Sequence, residues 1–221
     1  MAIYQTQTGF SSPTKIFTPA VTSILVLSII GLILSMLMPD FIIKFFALSA
    51  QGLLHGKVWQ LVTYVFVNGM PINLIFSGLM ILFIGSAIER QWRTASFLML
   101  WLVISVICGL LWVLVSLILG ANYIGMGAGA CTYGLLATFG ILNRGKRVLI
   151  FMATLEAQYL VIIFIAIGIV LNIMQPIGLI WISGALVAYL YIKLRWRMTE
   201  RSASRHSQSA SGQTGRFVDI D

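Results

Sequence analysis

Gly125-Met-Gly-Ala-Gly-Ala-Cys-Thr-Tyr-Gly-Leu-Leu-Ala-Thr-Phe-Gly140 is apolar, uncharged and holds five glycines: Gly125, Gly127, Gly129, Gly134 and Gly140. A glycine inside a helix costs roughly 1 kcal/mol relative to alanine. A segment that accepts this cost repeatedly needs its backbone close to its neighbours, and inside a membrane small residues are what let helices touch. The stretch predicts a short central span, entered through a glycine-rich turn and surrounded by other spans.

The flanking chain supplies those neighbours. Of 221 residues, 59% are hydrophobic and 9% charged, against about 25% charged in a soluble domain. The length allows one domain, with the bilayer as its solvent. The formal net charge of +8 comes from residues at helix ends, so it sets topology and does not point to nucleic acid. Cys108 and Cys131 lie in apolar segments without metal-ligand spacing. The first apolar run, from Pro19, is long enough to span and does not read as a cleavable signal.

The chain divides into a polar lead at 1–18, a membrane domain at 19–198 and a polar tail at 199–221 that reads as flexible. Hydropathy predicts an all-α polytopic membrane protein with six transmembrane helices, the fourth short and central. The first span runs from Pro19 to Met38, with Ser28 and Gly31 as packing residues. Residues 41–70 begin with an amphipathic piece lying in the interface, built on Phe41, Ile42, Ile43, Phe45, Phe46, Leu48 and Lys44. The second span is Pro71 to Ile88, followed by a charged turn at Glu89-Arg-Gln-Trp-Arg93. The third is Phe97 to Leu119, and the fourth ends near Leu142. Val148 to Gln158 reads as interfacial, with Glu156 at the headgroups. The fifth span is Tyr159 to Met174 and the sixth Ile177 to Leu194. Trp101, Trp112, Trp181 and Trp196 read as exposed aromatics, commonly interface anchors.

Charge fixes the orientation. Placing Lys15, Arg90, Arg93, Arg144, Lys146, Arg147, Lys193, Arg195, Arg197, Arg201, Arg205 and Arg216 on one side leaves only Lys44 and Lys57 on the other. That asymmetry puts both termini in the cytoplasm, and the expected location is a bacterial inner membrane.

Tyr133-Gly134-Leu135-Leu136, preceded by Gly127-Ala128, resembles the nucleophile segment of the rhomboid intramembrane serine proteases, where Gly-Ala-Ser-Gly leads into Tyr-Gly-Leu-Leu. The serine position falls on Gly129 and the next glycine on Ala130. Trp59-Gln-Leu-Val-Thr-Tyr-Val-Phe66 resembles the family's Trp-Arg-Leu-x-Thr-x-x-Phe run, with Gln60 for the arginine. The family then places two histidines, an asparagine, a glycine and a glutamate along the second span. The matching positions are Asn68, Asn73, Ser77, Gly85 and Glu89; the spacing is kept, but only Gly85 and Glu89 keep their identities. The general base falls on Trp181, followed by Ser183 and Gly184. The resemblance covers roughly 59–191 and implies a six-helix rhomboid-like bundle. Gly85, Glu89, Gly127, Gly134, Ser183 and Gly184 are then its helix-packing or partner-binding positions.

A serine protease needs a nucleophile, a base and oxyanion donors. Glycine at 129 has no attacking atom, and tryptophan at 181 cannot accept a proton. Asn68, Asn73 and Ser77 stand at the oxyanion positions, and interhelical hydrogen bonding accounts for Asn73 and Ser77 as well. Cys131 lies roughly 200° around the helix from Gly129, and a buried apolar thiol is inert. His55 could serve Ser183 only after a large loop excursion. No span holds an ionisable residue well inside it, which argues against proton-coupled transport. No metal or cofactor is expected; lipid or pigment contacts are left open. The resemblance implies a pseudoprotease that binds transmembrane segments of other proteins. A fixed structural subunit of a larger membrane assembly, perhaps energy-transducing, is the alternative. An active hydrolase with displaced residues is the remaining one. The partners are membrane lipid and other transmembrane proteins.

Overall fold

The computed structural model describes residues 17–120, 122–144, 147–150, 153–156, 162, 180 and 182–197. Nearly all of the expected fifth span, Trp181, most of the lead and the whole tail lie outside them.

The first helix, α1, covers Pro19–Leu37. Proline opens it, where the missing N–H would be unpaired in any case. Pro39 closes it and starts α2, Pro39–Phe46. Asp40 in the first turn of α2 and Lys44 in its last suit the helix dipole. Phe41 and Phe45 stack with ring centroids 4.7 Å apart, and Phe41, Phe45 and Phe46 are exposed while Ile42 is buried. The amphipathic interfacial reading of this piece fits that arrangement. Short helices α3 (Ala50–Leu54) and α4 (Gln60–Thr63) come next, and a single tight turn, Tyr64–Phe66, ends the segment.

Helix α5, Pro71–Met80, runs without a break through a wider turn at Ile81–Gly85 into α6, Ser86–Trp92. The second span is therefore longer than expected. The charged run Glu89–Trp92 is helix, and only Arg93, in the left-handed region at φ 68°, makes the turn. Helix α7, Thr94–Ile118, and the short α8, Gly129–Leu142, complete the apolar set. Among the described residues three helices, Pro19–Leu37, Pro71–Trp92 and Thr94–Ile118, are long and apolar enough to cross a membrane, of the six expected. A last helix, α9, covers 183–197.

The core forms where α1, the 81–92 region, α7, α8 and α9 meet. Val21, Ile81, Ile88, Phe97, Leu100, Ile104, Leu135 and Ala188 are all buried there. Helix α8 is central as expected, and α7 shares the centre with it. Trp101 and Trp112 are accordingly buried against α8 and the far-end loops, which corrects the exposed-aromatic expectation for both; Trp196 is exposed. The arrangement is mostly helical, with one departure from all-α. Arg147–Ile150 (β1) pairs antiparallel with Ala153–Glu156 (β2), in the register Arg147 to Glu156 and Ile150 to Ala153. Val148, Leu149 and Ile150 form a short apolar run with two β-branched residues, which suits a strand.

Candidate functional site

The entry to α8 is held by backbone, as its glycines require. Leu48 and Gly125 exchange a pair of N–H···O bonds of 2.9 and 2.8 Å. Gly127 sits at φ +94°, a conformation side chains disfavour, and donates its N–H to the Tyr64 carbonyl at 2.9 Å. Asn68 is buried beside it. Its amide donates to the Phe66 carbonyl at 3.3 Å, and its oxygen lies 3.7 Å from where a Cβ on Gly127 would stand. Helix α8 then begins at Gly129. The structure thus brings Asn68, Gly127 and Gly129 into one corner.

Gly184 reaches the same helix from α9, while the neighbouring Ser183 faces Cys108 on α7. A Cβ on Gly184 would collide with the Ala130 carbonyl, and one on Gly134 would meet Ile104 at 2.5 Å and the Gly184 carbonyl at 3.0 Å. Ala130, Gly134 and Gly184 are a contact surface in which two backbones touch. Ser183 donates to the Ile180 carbonyl and lies 3.6 Å from the Cys108 sulfur. Gly85 meets side chains and not backbone: a Cβ there would stand 3.1 to 3.6 Å from side-chain atoms of Val21, Phe97 and Leu135.

Other matched positions stand apart. Asn73 is exposed on α5. The Ser77 hydroxyl donates back to the Asn73 carbonyl at 2.7 Å. This corrects the expectation that Ser77 bonds across helices: a hydroxyl in an apolar setting is satisfied most cheaply by the carbonyl one turn back. Burial changes along the four-residue series Asn73, Ser77, Ile81 and Gly85: Asn73 is exposed, Ser77 half-buried, and Ile81 and Gly85 buried. Trp181 lies outside the described residues.

The chemistry at this corner is correspondingly limited. Position 129 offers no nucleophilic atom, and the Ser183 hydroxyl is engaged by its own chain. His55 caps α3 at the far end, with its ring nitrogen 2.7 Å from the Gln51 carbonyl. Cys131 is fully buried beside the Trp101 carbonyl. Among the described residues no three His, Cys, Asp or Glu side chains gather as a metal site would need.

Two hydrogen-bonded anchors complete the scaffold. The first is Glu89, 3% exposed. Its carboxylate accepts from the Thr18 hydroxyl at 2.5 Å, the Ala20 and Val21 N–H groups at 3.1 Å each, and the Thr94 hydroxyl at 2.7 Å. It therefore caps the N-terminus of α1 from 71 residues away in sequence. Charge-assisted bonds of this kind are about twice as strong as neutral ones.

The second anchor receives the last carbonyls of α2, which have no partner within their helix. Lys57 and the Gln60 amide donate to the Lys44 carbonyl, Trp59 to that of Phe45, and Thr63 to that of Phe46, at 2.9 to 3.3 Å. Gln60 also accepts from the Ser49 N–H at 3.4 Å. Tyr64 donates to the Ser105 carbonyl at 3.1 Å and ties the segment to α7. Burial pushes its phenol well above its ordinary range, with the Cys131 and Cys108 thiols adding to the rise and the Ser105 side chain opposing it. In the sequence this run stands out only as a likeness; its spacing from the end of α2, 13 to 17 residues, gives no local signal of contact.

The family described as "Eukaryotic integral membrane protein (DUF1751)" matches residues 20–211. The chain belongs to this family. No curated protein matches it. The membership makes it an integral membrane protein and overturns the expected bacterial inner membrane. Apolar spans and basic flanks obey the same physics in every cell, so they do not encode the organism.

Proposed function

We propose that the chain is a six-span, rhomboid-like pseudoprotease that binds transmembrane segments of partner proteins without cleaving them. The observation that carries the reading is the α8 corner. Small-residue contacts of Ala130, Gly134 and Gly184 survive there around a nucleophile position that has no side chain. A scaffold kept without its reacting atom suits holding a helix and not hydrolysing it. The face that would receive it is on α5, where none of the ten residues is buried and Ile72, Ile75, Phe76 and Leu79 are 44 to 66% exposed. In a membrane such a face meets lipid or another helix by packing alone.

The test is a photo-crosslinking residue at Phe76 of the full chain, compared with one at Leu117 on α7, followed by gentle purification. Crosslinks to membrane proteins from position 76, at less than one partner per chain and with several identities, are the expected outcome. One partner at a fixed equal ratio from both positions would favour the structural-subunit alternative. Lipid-only crosslinks at position 76 would contradict client binding.

A further inference from the structure

Between the C-terminal ends of α8 and α9 lies a pocket of about 220 Å³. Its lining is Ile141 from α8 and Tyr189, Ile192, Lys193 and Trp196 from α9. Four of the five are apolar or aromatic, and the single charge is a cation.

The pocket lies at the basic end of the bundle. Gln91 donates to the Asn143 side chain at 3.3 Å, and Arg195 donates to Ser96 at 3.2 Å while stacking 4.6 Å over the Trp92 ring. These contacts bring the end of α6, the start of α7 and the ends of α8 and α9 to one level. Arg90, Arg93, Arg144, Lys193, Arg195 and Arg197 all belong to it. Lys44 and Lys57 sit on the far-end segment beside α2. At the basic end Arg195 is committed to Trp92 and Ser96. Lys193 is exposed, and its described contact is the Tyr189 ring at 5.9 Å, near the outer limit of a useful cation–π distance.

We propose that this pocket is a binding site for one anionic phospholipid. A first part of an acyl chain would lie against Ile141 and the exposed Tyr189 ring, over the buried Ile192. The headgroup phosphate would meet Lys193, and the exposed Trp196 would mark the interface level, where indole rings favour sitting. Apolar walls and a cation at the rim match the two ends of a phospholipid, and basic pockets between transmembrane helices on a positively charged side hold anionic headgroups. A free phosphate would find only one lysine and no use for the apolar wall.

The test is native mass spectrometry of the full chain in mixed micelles holding phosphatidylserine and phosphatidylcholine with the same acyl chains. Phosphatidylserine should be retained about five-fold over phosphatidylcholine, the factor one lysine contributes at a membrane surface. Lys193→Gln, at an exposed position, should abolish the preference; Lys44→Gln, at the other end, should keep it. Ile141→Trp should lower retention of both lipids by filling the pocket, and soluble glycerophosphoserine should not compete. Equal retention of the two lipids by the wild type, or a preference unchanged in Lys193→Gln, would overturn the proposal. Competition by glycerophosphoserine would also overturn it, by showing a headgroup site without a chain.

Discussion

From Pro71 to Trp92 the chain forms one continuous apolar helix, yet its two halves live in different surroundings. Residues 71–80 bury nothing. Residues 81–92 bury Ile81, Ile84, Gly85, Ser86, Ile88 and Glu89. The second half packs on α1, α7 and α8 through Gly85 and is pinned by the four bonds of Glu89. The first half also meets α1 and α8, but there Leu74, Ser77, Gly78 and Met80 are only half-buried and the other residues are exposed. The wider turn at Ile81–Gly85 is the junction, and such turns frequently mark functional places in helices. Hydropathy alone does not separate the halves, since both are apolar. What separates them is what closes over them: Gly85 lies under side chains of three helices and Glu89 binds the start of α1, while Gly78 meets one Leu25 side chain.

That contrast can be broken most strongly at Glu89. Glu89→Ala strands two backbone N–H groups and two hydroxyls at a buried helix start, and should destabilise by about 3 kcal/mol. Thermal unfolding in detergent would show it, with Glu89→Gln losing less. Gly85→Leu comes next: its three near neighbours leave no room, and overpacking should cost about 2 kcal/mol in the same assay. In the open half, Phe76→Ala should change stability by less than about 0.5 kcal/mol, as exposed substitutions do, while weakening any partner contact. A large loss of stability at position 76 would mean that α5 is packed after all.

Of the six expected spans, the first three were legible because proline and glycine punctuate them, and these are the three helices long and apolar enough to cross a membrane among the described residues. Pro19 and Pro71 start helices where expected, Pro39 ends the first span and also opens α2, and Gly127 marks the turn into α8. The faces of the spans were not legible. A helix as uniformly apolar as α7 gives no stripe to show which side is inside, so Trp101 and Trp112 read as surface. Glu89 and the Trp59–Thr63 run were visible as likenesses only, because their partners lie 13 to 71 residues away. At the candidate site, Gly134 was readable from the run of small residues, and Gly184 only through the resemblance. The exposure of Asn73 and the local bond of Ser77 were not, because they depend on which neighbours cover α5 and not on residue type.

The central claim is that the α8 corner keeps a scaffold and lacks a reacting atom. Fluorophosphonate labelling of the purified full chain, alongside cleavage of a rhomboid model substrate, tests it directly. Wild type and Gly129→Ser should both stay unlabelled and leave the substrate intact, because a lone hydroxyl without a base is a weak nucleophile and the members of a catalytic unit act together. Labelling of the wild-type chain, or substrate cleavage by it, would contradict the account.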